Sequence, residues 1–156
     1  MTRKIFPDRV RLAEQLHAKP GRSIVLTNGC FDLLHPGHVT YLARARALGD
    51  CLVVALNSDR SVRALKGPGR PLNAVEDRAL VLAALSAVDY VTYFDEDTPV
   101  QTIEAIQPAV HCKGGDYRPE DLPEAATVQA LGGRVVILPF ISGYSTTDLV
   151  RRMHGP

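Results

Sequence analysis

Two histidines, His35 and His38, stand on either side of a Pro36-Gly37 pair that follows a short apolar run. Proline suits the first position of a helix, where its missing N–H group is not needed, so the pattern predicts a helix start near Pro36. Side chains three residues apart lie on one side of a helix, which lets both imidazoles face a common ligand. A helix N-terminus also offers unpaired N–H groups and a partial positive charge. The spacing therefore indicates a phosphate-binding site with two imidazole groups directed into it.

Glycines near the histidines leave the backbone open to a bulky ligand. Gly29 ends the apolar run and Gly37 lies between the histidines, and neither has a side chain that would block a close approach. Two other interpretations compete with a phosphate site. One histidine could pack or cap while the other is solvated, or both could bind zinc with Cys30 or Cys112. A third ligand at metal-binding spacing is missing from the sequence, so we predict no protein-bound metal.

The composition restricts the classes of protein to which the chain can belong. It has 156 residues, 46% of them hydrophobic, and its 18 lysines and arginines nearly balance its 17 aspartates and glutamates. That length fits one domain, residues 1–156, with a core large enough to fold unaided. The near-neutral charge and the lack of an apolar run of about 20 residues predict no nucleic-acid or membrane partner. The N-terminus lacks a secretory signal and the three cysteines are unpatterned, so we expect a cytoplasmic protein.

Apolar periodicity alternates between strand-like and helix-like segments along the chain. Unbroken apolar runs predict strands covered on both faces, and their alternation with amphipathic helices predicts an α/β fold. We expect a Rossmann-like, doubly wound parallel five-stranded sheet, with ligands at the carboxyl ends of the strands. Residues 1–21 form an N-terminal helical extension in this scheme, and residues 22–153 form the core. The predicted strands are 24–27, 51–56, 90–94, 109–112 and 135–138, and the predicted helices are 9–17, 39–48, 61–65, 75–85, 100–106, 124–131 and 146–153.

Residues 29–38 read Gly-Cys-Phe-Asp-Leu-Leu-His-Pro-Gly-His. This segment resembles the G-x-F-D-x-x-H-x-G-H signature of the cytidylyltransferase-like nucleotidyltransferases, and the resemblance extends from about residue 22 to residue 153. In that family the two histidines bind the nucleotide phosphates and stabilise the transition state, so the resemblance implies catalytic roles for His35 and His38. Cys30 occupies a variable position and receives no catalytic role. The resemblance implies nucleotide contacts by Asn28, directly before this segment, and by Gly29, Cys30, Phe31, Gly37 and His38 within it, and a substrate contact by Asp32.

A cluster of cations follows the second predicted strand. On a nearly neutral protein phosphate is the natural counter-ion for such a local excess, although a solvated basic loop would have the same composition. Leu65-Lys66-Gly67 is similar to the family's Leu-Lys-Gly, whose lysine contacts phosphates from a mobile loop. The resemblance therefore implies that Lys66 is both catalytic and substrate-binding. The cations are Arg60, Arg63, Lys66 and Arg70.

Other polar side chains lie just after the predicted strands. Asn57 and Asp59 follow the second strand and are candidates for substrate binding, with a helix cap as the alternative. Arg78 matches the arginine that opens the family's next helix and is a further substrate candidate, with a surface ion pair as the alternative. A Lys-Gly-Gly-Asp-Tyr segment follows the fourth strand, and its predicted nucleotide-binding residues are Lys113, Gly115 and Asp116.

Three hydroxyl residues, Ser145, Thr146 and Thr147, precede the last predicted helix. With Asp148 three residues after Ser145, the segment has the form of a capping box. The family has a Ser-Thr-Thr at this place that contacts the nucleotide, and a phosphate can bind at the same helix N-terminus. We therefore predict both a cap and nucleotide contacts by these residues.

Several segments resemble the D-glycero-D-manno-heptose 1-phosphate adenylyltransferases, namely 53–59, 65–67, 70–73, 94–99 and 113–117. The resemblance implies that ATP and this sugar phosphate give ADP-heptose and pyrophosphate by in-line attack, for lipopolysaccharide core synthesis. Mg²⁺ would accompany the nucleotide as a cofactor, with no fixed set of protein ligands. Many bacteria fuse this activity to a sugar kinase, for which the chain has no room. We therefore expect the stand-alone form, with a separate kinase and phosphatase in the pathway.

Two alternatives stay open on the sequence. A glycerol-3-phosphate cytidylyltransferase would share the fold and histidines, but it typically has Arg-Thr-Glu-Gly-Ile where this chain has Phe-Ile-Ser-Gly-Tyr before the Ser-Thr-Thr. A nucleotide-sensing module without turnover would have little need for both histidines together with Lys66. We also expect a homodimer, with the N-terminal helix and residues 88–91 as the candidate contact surface.

Overall fold

The computed structural model describes residues 2–155, and Met1 and Pro156, the ends of the predicted domain, lie outside the described residues. Strands and α-helices alternate along the chain, with short 3₁₀ turns at Thr2–Lys4 and Pro119–Asp121. The strands are β1 (Ile5–Phe6), β2 (Ile24–Gly29), β3 (Cys51–Asn57), β4 (Tyr90–Phe94), β5 (Val110–Gly114) and β6 (Arg134–Leu138). The helices are α1 (Arg9–His17), α2 (Pro36–Arg46), α3 (Asp59–Lys66), α4 (Val75–Ala83), α5 (Val100–Ile106), α6 (Ala125–Ala130) and α7 (Thr146–Met153).

The strands form one parallel sheet in the order β1-β4-β3-β2-β5-β6. The α/β doubly wound parallel fold is therefore confirmed, but the described residues form six strands rather than the five that the sequence predicts. The additional strand, β1, pairs Ile5 with Val91 and Phe6 with Thr92 at the edge of the sheet. Two residues are too few to show the periodicity of a strand, and they lie in the segment for which the sequence predicts a helical extension.

The strands are apolar throughout because helices cover both faces of the sheet. Every residue of β3 is buried, and its successive side chains point to opposite faces. Leu52 and Val54 pack in a cluster with α2 and α4, whereas Cys51 and Val53 pack in a second cluster with α1 and α5. Each fully buried Leu or Val side chain stabilises the fold by roughly 1.5–3 kcal/mol. These two clusters hold the strands, and with them the loops at their carboxyl ends.

The sheet changes its direction of growth at β2. From β2 the chain adds β3 and β4 on one side, and it then crosses over to add β5 and β6 on the other side. The carboxyl ends of β2 and β5 are therefore neighbours whose following segments diverge. In open parallel sheets the crevice at such a switch point is the usual position for a ligand.

Part of the surface predicted for a homodimer lies inside the protomer. Val88 and Val91 are fully buried in the protomer's own core, so they are not available to a second copy. Helix α1 likewise directs Leu12 and Leu16 into the core cluster that it shares with α5.

Over residues 2–155, the helices are too short or too polar to cross a bilayer.

Candidate active site

A cavity of about 560 Å³ opens at the carboxyl ends of β2 and β5, beside the N-termini of α2 and α7. It brings together most of the residues predicted for catalysis and nucleotide binding, although they come from distant parts of the sequence. The predicted residues that line it are Asn28, Gly29, Cys30, Phe31, Asp32, His35, Gly37, His38, Lys66, Lys113, Ser145, Thr146 and Thr147. The predicted residues outside its lining are Asn57, Asp59, Arg78, Gly115 and Asp116.

The imidazole rings of His35 and His38 stack on each other in this cavity, with centroids 3.9 Å apart and planes at 29°. His35 is the N-cap residue of α2, and Pro36 is its first helical residue. The backbone N–H of His35 donates a hydrogen bond to Nδ1 of His38 at 3.3 Å. An acceptor role for Nδ1 places the proton of the neutral ring on Nε2. His38 is therefore oriented as an N–H donor through Nε2.

Both rings are held in the neutral form near neutral pH. Burial, followed by the charges of His35 and Lys66, lowers the pKa of His38 to about 4. Burial also lowers the pKa of His35. A nearby anion has the opposite effect because it favours the charged form of an imidazole. The pair is therefore suited to donate hydrogen bonds to a phosphate and to gain positive character when the phosphate binds.

Two glycines make room for the aromatic rings that surround the histidines. A Cβ atom at Gly37 would lie 2.9 Å from the ring of His35 and 3.1 Å from Cβ of Tyr144. Phe31 has a φ of 45°, and a Cβ atom at Gly29 would lie 2.9 Å from its ring. The same Phe31 ring is 5.5 Å from the ring of His38. These glycines thus allow the site's own side chains to pack closely, a role beyond the ligand access that the sequence suggests.

Helix α7 brings a second helix N-terminus to the cavity. Ser145 is its N-cap, and the Oγ atom of Ser145 accepts a hydrogen bond from the backbone N–H of Asp148 at 3.3 Å. The hydroxyl of Thr146 donates to the carbonyl of Leu33 at 3.2 Å, which ties α7 to the loop between β2 and α2. Thr147 is exposed at the cavity wall. The predicted cap is therefore present, and a direct hydrogen bond joins the N-terminus of α7 to the loop that precedes α2.

Lys113, at the end of β5, supplies a cation on the other side of the switch point. Its Nζ atom donates to Oδ1 of Asn28 at 3.5 Å and lies 3.9 Å from Oε1 of Glu124. Glu124 is buried and also bonds Nε2 of His111 at 3.2 Å. Burial raises the pKa of Glu124, but the hydrogen bond from His111 and the charge of Lys113 outweigh it and leave the pKa below its usual value. An ionised, buried carboxylate thus holds the lysine beside the end of β2.

Gly115 and Asp116, the two residues directly after β5, do not line the cavity, whereas Tyr117 does. Gly115 is buried with a φ of +123°, and a Cβ atom there would lie 2.9 Å from the ring of Phe140. Asp116 is exposed. Of the three residues predicted in this segment, only Lys113 lines the cavity.

Asp32 anchors the loop that follows α3. Its Oδ2 atom accepts hydrogen bonds from Nε of Arg70 at 2.8 Å and from the backbone N–H of Leu72 at 2.7 Å. Its Oδ1 atom accepts from the backbone N–H of Asn73 at 2.9 Å. Burial raises the pKa of Asp32, but these hydrogen bonds and the charge of Arg70 outweigh it, so the net pKa is lowered. The carboxylate is therefore ionised and occupied by donors of the protein itself.

Arg78 is a buried link between three segments beside the cavity. Its guanidinium donates to the carbonyl of Asn73 at 3.1 Å, to the carbonyl of Cys30 at 2.7 Å and to Oδ1 of Asp59 at 2.7 Å. Its side chain is fully buried, so its donors are directed at these partners rather than at the cavity. Asn57 is also buried, and its side-chain amide donates to Oγ of Ser61 at 2.9 Å.

Several residues that line the cavity were not singled out as site residues by sequence reasoning. Tyr41 lies one turn after His38 on α2, a spacing that could have indicated it. Its hydroxyl donates to Oγ1 of Thr27 at 2.6 Å, and Thr27 in turn donates to the carbonyl of Cys112 at 3.1 Å, which joins β2 to β5. The others are Arg70, Gly114, Tyr117, Pro139, Phe140, Ile141 and Tyr144.

The donors in the cavity suit an anion with several oxygen atoms. Imidazole, ammonium and guanidinium groups stand beside two helix N-termini, and each of these favours phosphate oxygens. Over residues 2–155, His, Cys, Asp and Glu side chains form no cluster of three or more that could hold a metal ion. The arrangement can therefore bind a polyphosphate through the protein's own N–H groups.

Comparison with known families agrees with this chemistry. Residues 26–152 match the sequence profile of the cytidylyltransferase-like family, a range that includes both histidines and most of α7. The chain belongs to the cytidylyltransferase-like family. This cytidylyltransferase-like protein is accordingly a nucleotidyltransferase, and its cavity carries the histidine pair of the family signature.

Among curated relatives, the cytidylyltransferase-like chain is similar to proteins named bifunctional protein HldE. It is 49% identical to that of Syntrophotalea carbinolica over 154 residues, which is 95% of this chain and 31% of the relative. It is 56% identical to that of Alkalilimnicola ehrlichii over 135 residues, which is 86% of this chain and 28% of the relative. The chain thus spans about 30% of the length of these relatives.

Two solved structures have a fold similar to that of this chain. The lipopolysaccharide core biosynthesis protein from Thermoplasma volcanium has a TM-score of 0.65 and 29% identity, and the match covers 80% of this chain and all of that one. The pantoate-beta-alanine ligase from Francisella tularensis has a TM-score of 0.60 and 12% identity, with 94% of this chain and 75% of that one covered. The second likeness concerns the fold alone.

Proposed function

We propose that this protein transfers the adenylyl group of ATP to D-glycero-D-manno-heptose 1-phosphate, which gives ADP-heptose and pyrophosphate. The observation that carries the proposal is the stacked pair of His35 and His38 at the N-terminus of α2, in one cavity with the N-terminus of α7. In this proposal the triphosphate lies between these two helix ends, and the acceptor phosphate approaches from the side of Lys66 and Asp32.

The reaction asks for positioning and charge stabilisation rather than for a strong base. An oxygen of the acceptor phosphate attacks the α-phosphorus in line, the bond from the α-phosphorus to the bridging oxygen breaks, and pyrophosphate leaves. Because the nucleophile is already an anion, preorganised N–H donors and cations supply most of the catalysis. Nε2–H of His38 donates to the α-phosphate, while Lys66 offsets the repulsion between the two anions. Mg²⁺ bound to the nucleotide would neutralise part of the charge on the triphosphate.

The choice of heptose and adenine rests on resemblance. Five segments of the sequence resemble the heptose 1-phosphate adenylyltransferases, the curated relatives are named HldE, and one structural relative is named for lipopolysaccharide core biosynthesis. In a pathway of this kind, a separate kinase and phosphatase would supply the sugar 1-phosphate in the cytoplasm. A homodimer is part of the proposal, with a contact surface other than Val88 and Val91.

A pyrophosphate-release assay with two nucleotides and two acceptors tests the proposal. The protein is incubated with Mg²⁺ and either ATP or CTP, each with heptose 1-phosphate or glycerol 3-phosphate. We expect release only with ATP and heptose 1-phosphate. Release with CTP and glycerol 3-phosphate would replace the proposal by a glycerol-3-phosphate cytidylyltransferase. Binding of ATP without release under any pairing would indicate a nucleotide sensor.

A further inference from the structure

The protein itself uses most of the polar groups for which the sequence predicts substrate contacts. The guanidinium of Arg78 is fully buried and donates to three protein acceptors, and one of these is the carboxylate of Asp59. Asn57 is buried behind the cavity wall, and the carboxylate of Asp32 accepts three protein donors. A second phosphate in the cavity therefore needs other cations. The lysines and arginines that line the cavity are Lys66, Arg70 and Lys113.

These three cations lie in different parts of the cavity wall. Lys113 extends from β5, where it bonds Asn28 and is close to the carboxylate of Glu124, so its charge is partly balanced. The charge of Lys66 reaches the histidine pair, since it contributes to the lowered pKa of His38. Arg70 donates a hydrogen bond to the carboxylate of Asp32, which lines the cavity next to Phe31. Arg70 is therefore the cation for an anion on the Asp32 side of the cavity, although its own charge is paired with Asp32, and its unpartnered Nη2 atom sets it apart from Lys113.

Arg70 is held in a fixed orientation with donor capacity to spare. Its Nε atom donates to Oδ2 of Asp32 at 2.8 Å, and its side chain is 19% exposed. Within residues 2–155 its Nη2 atom has no hydrogen-bond partner although it is buried. A buried donor without an acceptor is unfavourable, and a fixed guanidinium presents a planar set of N–H groups that matches phosphate oxygens. These features are typical of an arginine that receives an anionic ligand.

We infer that Arg70 binds the phosphate of the acceptor sugar, and that Asp32 is a positioning residue that orients Arg70 for this contact. The inference rests on the proposed function, and it identifies the residue that receives the second substrate. The nucleotide phosphates then belong to the histidine pair and the N-terminus of α7, and Lys66 lies between the two anions. Each of the two anions then has its own cationic partner, with Arg70 at the acceptor phosphate. This arrangement reduces the repulsion between them as they approach each other.

The kinetic test compares Arg70→Gln with Arg63→Gln. Arg63 belongs to the same cluster of cations, but it is exposed on α3 and does not line the cavity, so its variant controls for the loss of one positive charge. Arg70→Gln should raise KM for the sugar phosphate roughly 10- to 100-fold, the size of effect expected for a lost charged donor. KM for the nucleotide should change little, and Arg63→Gln should match the wild type. Arg70→Lys should rescue only part of the loss, because an ammonium cannot bond Asp32 and a phosphate in the same fork geometry.

A binding measurement decides the inference independently of the reaction. Inorganic phosphate is titrated calorimetrically into wild type, Arg70→Gln and Arg63→Gln, each saturated with a non-hydrolysable ATP analogue. Loss of phosphate affinity in Arg70→Gln alone supports the assignment, even if the sugar in the proposed function is wrong. Equal phosphate binding by all three proteins, or no binding by the wild type, overturns it. A rise in KM for the nucleotide instead of the sugar phosphate also overturns it, since Arg70 would then serve the triphosphate.

Discussion

The backbone N–H of His35 donates to Nδ1 of His38 at 3.3 Å, so the N-cap residue of α2 determines which nitrogen of the second histidine carries the proton. The chemistry of His38 therefore depends on the backbone at the helix start as well as on its own side chain. Because Pro36 and Gly37 lie between the two histidines, the short sequence that begins the helix also orients the donor.

His38→Ala should lower kcat by about 10²- to 10³-fold, because it removes a preorganised donor from the site of charge development. The measurement is pyrophosphate release at saturating substrates. His154→Ala, an exposed histidine at the end of α7, is the matched control and should keep wild-type turnover. Thermal unfolding of both variants should resemble that of the wild type. Near-normal turnover by His38→Ala would contradict the catalytic role.

His38 should also make the stability of the protein depend on pH. Its pKa is about 4 in the folded protein, whereas an unfolded chain has a histidine pKa near 6.5. Between these values the unfolded state binds more protons, so this contribution is complete above about pH 6.5 and is lost as the pH falls toward 4. Urea unfolding should show that, as the pH falls from about 6.5 toward 4, the wild type loses more stability than His38→Gln does. A difference that is independent of pH would contradict the lowered pKa.

Gly37→Ala should reduce activity because the added methyl group would meet the ring of His35 at 2.9 Å and Cβ of Tyr144 at 3.1 Å. Either the histidine or the segment before α7 must then move, and a small displacement of catalytic groups is costly. Gly69→Ala is the control, since a Cβ atom there would have no neighbour within 4 Å. Steady-state kinetics of both variants check the prediction. Equal kcat values would show that the packing of His35 against Tyr144 is unimportant for the reaction.

Arg78→Met should lower the free energy of unfolding by about 3 kcal/mol, because it removes a fully buried guanidinium and leaves its three acceptors without their donor. The partners are Asp59 and the carbonyls of Cys30 and Asn73. Arg60→Met serves as the comparison, since Arg60 pairs with Asp95 at the exposed surface and its loss should leave the melting temperature nearly unchanged. Urea unfolding measures both. A stable Arg78→Met protein with a raised KM for the sugar phosphate would favour direct substrate binding instead.

The sequence predicts those features of the site that depend on local spacing. The helix start at Pro36, the cap at Ser145 and the parallel sheet follow from short patterns, and the structure has all three. The partners of Asp32 and Arg78 depend instead on how the loop after α3 folds back over β2, which is a relationship between distant residues. Arg70 appears in the sequence only as one of several cations, and its bond to Asp32 distinguishes it from Arg63.

A crystal structure of the protein with a non-hydrolysable ATP analogue tests the central claim most directly. We expect phosphate oxygens within hydrogen-bonding distance of Nε2 of His38 and of the backbone N–H groups at the start of α7. A triphosphate bound elsewhere, with both imidazole rings out of its reach, would contradict it.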